Sequence, residues 1–371
     1  MTALGQLREE LSRLKDIDRI LIASVVPLLV VSVLSIYSAL AGKGVVAMDM
    51  ALKQSVWCVL GVIAFSMAFT IGYERTLKYA YWIYAGALLS LVAVLVVGYT
   101  AKGATSWFDF GAFRFQPSEP AKLALSTVLA VFLCRYPPKD LANISGVLLL
   151  SSLVVVPVFL QPDLGGVIVY AFMIFVALVL AGMPRKYILL LVGIALLSLP
   201  VGWSLLKEYQ KLRMLVFLNP SIDPLGAGYN VIQSRIAVGA GGFFGKGFLQ
   251  GTQSRLHFLP EAHTDFVFSV FSEEFGFAGA SVVLALFAIL LWRMLRTAAR
   301  SGDPRARILV GAVSAWIWFQ LFENIAMAVG IAPVTGLALP FVSYGGSSMV
   351  SLGAALGLVQ SVHVSSRPQY E

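Results

Sequence analysis

A chain of 371 residues that is 58% hydrophobic and only 12% charged has too little polar surface to cover a water-facing exterior, so a soluble domain is excluded. Its formal net charge of +8 is spread along the chain with no aromatic-studded basic domain, which excludes a nucleic-acid footprint. The class that fits is an all-α polytopic membrane protein, one integral membrane domain over 1–371.

The first residues, 1–19, read as a retained cytoplasmic N-terminus with the amphipathic stretch LREELSRLKDIDR. It has no cleavable-signal pattern, and the apolar run after it is long enough to stay in the bilayer. A span needs roughly 20 apolar residues to cross the ~30 Å hydrocarbon layer. Ten such runs follow, near 20–40, 52–72, 79–98, 119–134, 144–160, 165–183, 187–206, 266–292, 308–330 and 345–363. Cys58 and Cys134 fall in different spans, far apart in sequence, and read as small core residues rather than a disulfide framework or metal cluster.

Lysine and arginine set the orientation. One side collects Arg8, Arg13, Lys15, Arg19, Arg75, Lys78, Arg135, Lys139, Arg185, Lys186, the arginines from Arg293 to Arg307, and Arg367. Short loops on the other side hold only Lys43, Lys53, Lys102, Arg114 and Lys122. Both termini are therefore expected in the cytoplasm, with a large outward loop, 207–265, between spans seven and eight.

Most connections, such as YERTLK, RYPPKDLAN, QPDLGG and AGMPRK, are ties between helices marked by Pro, Gly or basic residues. Three outward segments are longer: 100–122, 207–265 and 331–348. In the last, Pro333 and Pro340 interrupt apolar sequence, which predicts a re-entrant or broken element buried in protein or lining a cavity; a plain exterior loop is the alternative.

Ionisable groups at or inside spans are costly and therefore functional candidates. They are Arg114, Glu119, Lys122, Asp163, Asp265, Glu273, Glu274 and Glu323. Glu119 and Lys122, three apart on one helix face, read equally as a salt bridge and as substrate contacts. Asp265, just before FVFSVF, reads either as a helix N-cap or as a positioned base. Glu273 and Glu274 lie about 12–14 Å further along that helix and point away from it, so no paired-carboxylate site is expected there.

The outward cations Arg114, Lys122, Arg213, Arg235, Lys246 and Arg255 form a set able to meet a phosphate or pyrophosphate. AGGFFGKG is rejected as a phosphate loop because it opens with Ala240 and closes with Gly247 where that motif needs Gly and Ser or Thr. His257, His263 and His363 lack metal-ligand spacing; His263 reads as a surface residue or as one that orients Asp265.

The strings FRFQPSEPAK (113–122), QPDLGG (161–166), DPLGAGY (223–229), QSRIAVGAGGFFGKG with GTQS (233–254), FLPEAHTDFVF (258–268) and LPFVSYGGSS (339–348) resemble the SEDS family of bacterial cell-shape and division proteins, in particular its elongation branch. The resemblance runs in register from the first span to the last. It implies a glycosyltransferase of the bacterial cytoplasmic (inner) membrane that polymerises Lipid II at the outer face, with Asp265 matching the family's essential loop aspartate. The same resemblance maps the family's RFQPSE stretch onto Arg114, Gln116, Ser118 and Glu119, followed by Lys122, and its outward tryptophan onto Trp107.

On this reading Asp265 is the general base and polyprenyl pyrophosphate leaves. Arg114 and Lys122 are first choices to stabilise it, Arg213, Arg235 and Lys246 weaker ones, and Ser343 joins the substrate-binding set. No cofactor is called for, and a divalent cation is left open. A class B penicillin-binding protein, a transpeptidase, is the implied partner, besides Lipid II and membrane lipid. A flippase for the lipid-linked precursor and a non-catalytic scaffold are the rival functions.

Overall fold

The computed structural model describes residues 15–101, 104–111, 113–256 and 258–366. The N-terminal stretch up to residue 14, Lys102, His257 and Arg367 lie outside the described residues. Ten long helices stand where the ten apolar runs were expected, and two more form in the outward loop. In chain order they are α1 (Arg19–Ala39), α2 (Val45–Ile71), α3 (Ala80–Val97), α4 (Ser118–Arg135), α5 (Leu141–Leu160), α6 (Leu164–Leu180) and α7 (Arg185–Leu205). The loop helices are α8 (Glu208–Leu218) and α9 (Ala227–Ala240), followed by α10 (Val267–Arg300), α11 (Pro304–Val329) and α12 (Gly346–Ser365).

Eight of these are long and apolar enough to cross a membrane by themselves. The other two, α4 and α6, are shorter or carry charge, and both are packed against α11 in the bundle interior, where protein shields what lipid would not tolerate. Trp316, Tyr170 and Lys122 are among the largest fully buried side chains at this centre. At the other extreme, α7 contains no buried residue and lies at the edge of the bundle.

The helix starts follow short-range chemistry. Asp18, Asp140, Asp163 and Asp303 each accept a backbone N–H of the first turn of α1, α5, α6 and α11, and Pro304 occupies the first position of α11. Gly330, at φ 80, closes α11 in the left-handed conformation.

Three departures from expectation bear on the site. The segment before α4 is a small three-stranded antiparallel sheet, β1 (Tyr99–Ala101), β2 (Ala104–Asp109) and β3 (Arg114–Phe115), in the order β1-β2-β3. The outward loop is not featureless, since α8, α9 and a short helix at Thr252–Arg255 fold within it. Helix α10 extends to Arg300, so Arg293, Arg296 and Arg300 stand on a helix and the connection to α11 shrinks to 301–303.

Two polar pairs join α1 to α10 at both ends of α1. Ser38 donates to Glu274 Oε1 near the C-terminal end of α1, and Arg293 Nε lies 2.7 Å from Asp18 Oδ2 at its N-terminal end. Glu274 and Arg293 are separated by about 28 Å of helix at 1.5 Å per residue, close to the ~30 Å hydrocarbon thickness. The spacing matches the two pairs to the two boundaries of the apolar layer, with the first turns of α10 beyond one and its last two turns beyond the other. Asp18 also exchanges hydrogen bonds with Gln360 on α12. Burial pushes its carboxyl upward, but the Arg293 guanidinium and the Leu21 N–H outweigh this and hold it below the usual carboxylate range.

Candidate active site

Asp265 occupies a turn, 261–266, at the head of α10. The N-cap position of the helix is Phe266, so Asp265 stands one residue before it. The backbone around Asp265 is held tightly. Its N–H donates to Glu261 O at 3.1 Å, and its carbonyl accepts Asn324 Nδ2 at 2.9 Å. The same Asn324 amide reaches Leu337 O at 2.7 Å, which ties the Asp265 turn to the segment between α11 and α12.

That segment, 331–345, is non-helical, with Leu337, Leu339, Phe341 and Val342 in the hydrophobic core. The broken buried element is thus observed rather than an exterior loop. Gly336 lies exposed within it at φ 77, and a methyl group there would sit 3.5 Å from Asp265 Oδ2. The half-buried Asp265 carboxylate therefore faces bare backbone at the surface of this segment. Ser343 is a buried stitch: its hydroxyl donates to Thr264 O at 2.5 Å and accepts Leu339 N at 2.9 Å. It supports the Asp265 turn from behind, a structural use that the sequence reading as a substrate contact missed. His263 is half-buried, its carbonyl accepting Tyr344 N at 3.0 Å with the two rings 6.0 Å apart.

On the other side of Gly336, the segment packs on the QPDLGG turn, where a methyl group at Gly165 would meet Leu337 Cγ at 2.9 Å and Thr335 Cβ at 3.2 Å. Asp163 in this turn accepts Gly166 N at 2.8 Å and lies within electrostatic reach of Lys122 and Glu119. Packing removes its carboxyl from water and pushes it above the usual range; the Gly166 N–H and Lys122 offset this only in part. Lys122 Nζ is 2.6 Å from Glu119 Oε1 and 5.3 Å from the centroid of the buried Trp316 ring. Glu119 Oε2, Ser118 Oγ and both polar atoms of the Gln161 amide are buried with no hydrogen-bond partner among the described residues. Buried polar atoms of this kind call for an external partner.

The outward cations divide into two groups. Arg114 Nε bonds Asp109 Oδ2 at 3.1 Å and its guanidinium covers the Tyr99 ring at 4.6 Å; Tyr99 pairs across the sheet with the half-buried Trp107. The Gly111 N–H and Arg114 hold the Asp109 carboxyl below its ordinary range. Gln116 binds through its N–H to Ser347 Oγ at 2.9 Å, docking the sheet on α12. Lys246 Nζ is 2.7 Å from the fully buried Glu273, whose carboxylate also accepts Thr252 N, Thr252 Oγ1 and Gln253 N. Lys246 thus works in the architecture of the loop.

Arg213 and Arg235 are placed differently. Both are exposed, Arg213 Nη1 approaches Val334 O at 3.4 Å, and the stem of Arg235 lies over Gly330. These two, the weaker choices from sequence, border the segment that carries Gly336. Asn324 and Gly336 were not singled out in sequence; the only signal was a second polar residue beside Glu323 inside an apolar span. Among the described residues, no three His, Cys, Asp or Glu side chains gather as a metal-binding group, so a divalent cation has no such ligand set here.

A family model described as "Cell cycle protein", FtsW/RodA/SpoVE, matches residues 18–368. The peptidoglycan glycosyltransferase MrdB of Escherichia coli K12 is 40% identical over 349 residues, covering 94% of this chain and 93% of that protein. Among solved structures, a chain of a peptidoglycan synthase complex coordinating polymerization and crosslinking superposes with a TM-score of 0.80 at 37% identity, over 95% of this chain and 99% of that one. The rod shape determining protein RodA of Thermus thermophilus gives 0.71 at 33% identity, over 96% and 98%. With nearly its whole length matched in sequence and in fold, the chain is a multi-pass inner-membrane protein and belongs to the FtsW/RodA/SpoVE family of cell cycle proteins, in its RodA-type group.

Proposed function

We infer that this chain is a peptidoglycan glycosyltransferase that joins Lipid II units into glycan strands, with Asp265 as its general base. The observation that carries the assignment of Asp265 is its placement: a carboxylate at the head of α10, clamped through its backbone by Asn324 and facing Gly336. A sugar 4-hydroxyl is a weak nucleophile. As its oxygen attacks the anomeric carbon of the neighbouring saccharide, the hydroxyl proton passes to the Asp265 carboxylate. The bond from that carbon to the pyrophosphate oxygen breaks, and polyprenyl pyrophosphate leaves with the electron pair. General base catalysis of this kind contributes typically ~10²–10⁴-fold.

The departing pyrophosphate needs fixed positive charge. Arg213 and Arg235 beside the 330–334 segment supply it on this reading, with Arg114 at the rim of the sheet. Lys122 and Glu119 shape the polar floor near Asp163, the Glu119 N–H donates to Gln116 O, and Trp107 of β2 completes the substrate-binding set on this reading. The pyrophosphate linkage already stores the driving force, so no nucleotide is required.

Both termini face the cytoplasm and the Asp265 side faces outward, a reading supported by the lysine and arginine distribution. The partner is a class B penicillin-binding protein, by analogy with the synthase complex that the fold matches.

Purified protein given labelled Lipid II in detergent tests this. Wild type forms polymer, and Asp265→Asn, which keeps size but loses basicity, forms none while eluting as the same folded species. Full activity in that variant removes Asp265 as the base. Lipid transport in vesicles without polymer would favour a flippase.

A further inference from the structure

The glycine-rich loop after α9 is not consumed by the proposed chemistry, yet it is fixed to α10 in an unusual way. At Gly276 the helix breaks, with φ 65 and ψ −165, and the freed backbone groups are taken up by the loop. Phe277 N and Ala278 N donate to Gly242 O and Phe243 O, both at 2.9 Å. Lys246 N and Gly247 N donate in turn to Glu273 O at 3.0 Å and Glu274 O at 2.9 Å. The approach is backbone on backbone: a methyl group at Gly276 would lie 2.3 Å from Gly245 N. Helix breaks beside the apolar layer persist only where such groups are satisfied.

This docking fixes the height of the loop. Its hydrogen bonds fall at Glu273 to Ala278, the level at which Ser38 meets Glu274 and, on the argument above, the level where the hydrocarbon layer ends. At that height the loop turns two rings outward and α10 a third. Phe244 is 82% exposed, Phe277 64% and Phe243 59%, with Phe243 against Phe244 at 4.8 Å and against Phe277 at 5.8 Å. Below them the exposed surface of α10 continues as Val282 and Leu284, which are lipid-facing in a spanning helix. Aromatic rings concentrate at this boundary in membrane proteins because a flat apolar ring suits the junction of headgroups and acyl chains.

We propose that Phe243, Phe244 and Phe277 form an interfacial wedge that contacts the acyl chains of outer-leaflet phospholipids just beneath their headgroups. The wedge holds the loop at a constant height on the bilayer. Through Lys246 and the Glu273 carboxylate it also fixes the height of α10, and so of the turn at its head.

Spin labels read this directly, without reference to catalysis. With Cys58 and Cys134 replaced by alanine, a label is placed at Phe244→Cys or, separately, at Phe277→Cys, and the protein is reconstituted in phosphatidylglycerol–phosphatidylethanolamine nanodiscs. Power-saturation measurements then compare collisions with oxygen, which partitions into lipid, and with a water-soluble nickel chelate. Both labels are expected to favour oxygen over nickel, whereas a label at the exposed cytoplasmic Lys139→Cys favours nickel. Nickel-dominated collisions at both 244 and 277 overturn the proposal, because the rings then stand in water. Low accessibility to both reagents at both sites also overturns it, because protein, such as a second copy or a partner helix, then covers the surface. Two sites keep the test decisive if one variant fails to fold.

Discussion

Asn324 Nδ2 donates to the carbonyl of Asp265 at 2.9 Å, so an amide from the middle of the bundle fixes the backbone of the residue assigned as base. The second bond of the same amide, to Leu337 O at 2.7 Å, sets the distance between that base and the backbone it faces. Asn324→Ala frees both carbonyls. A displacement of about 1 Å at a reacting group can lower turnover on the order of 10²-fold, so kcat on Lipid II is expected to fall by that order while KM changes little. Turnover equal to wild type in a properly folded Asn324→Ala protein would remove Asn324 as a positioning residue.

The Lys122–Glu119 pair is buried, with side chains 2% and 11% exposed. Removing one partner of such a pair strands the other charge, at a cost of about 3–5 kcal/mol. Lys122→Ala and Glu119→Ala should each lower thermal stability strongly, and the double variant by less than the two effects together. If the stabilised double variant still polymerises Lipid II normally, the pair is architectural only. If it folds but is inactive, the pair also serves substrate.

Gly276 has backbone angles almost confined to glycine, and a side chain there would collide with Gly245 N. Gly276→Ala is expected to cost about 1–3 kcal/mol from the dihedral angles alone, with further loss from the collision. Thermal unfolding in nanodiscs measures it. Unchanged stability would show that the loop does not dock on α10 as described.

Asp163 has a carboxyl raised above 3.8 by burial. The folded protein therefore holds this proton more tightly than the unfolded chain, and stability falls as pH rises from about the unfolded value to the raised folded one. Asp163→Asn keeps an acceptor for Gly166 N and removes the ionisation. Its melting temperature should gain on wild type as pH is increased from 4 to 7, in parallel scans. A difference that runs the other way would mean that Lys122 outweighs burial at this site.

Hydropathy and lysine–arginine bias placed the ten long helices and indicated an orientation, because the cost of exposing polar groups to lipid acts on each segment separately. Asp18, Asp140, Asp163 and Asp303 start four helices by an equally local hydrogen bond that the sequence reading did not use, and the string HTDF located Asp265. The partners of that residue were not legible in this way. Asn324 is 59 positions from Asp265 in sequence, and Lys246 is 27 from Glu273. Which of the cations are held by carboxylates and which border the segment facing Asp265 depends on how α10, α11 and that broken segment pack together. Hydropathy reports how much of a helix is buried, but only the packing of distant segments decides what each buried group meets.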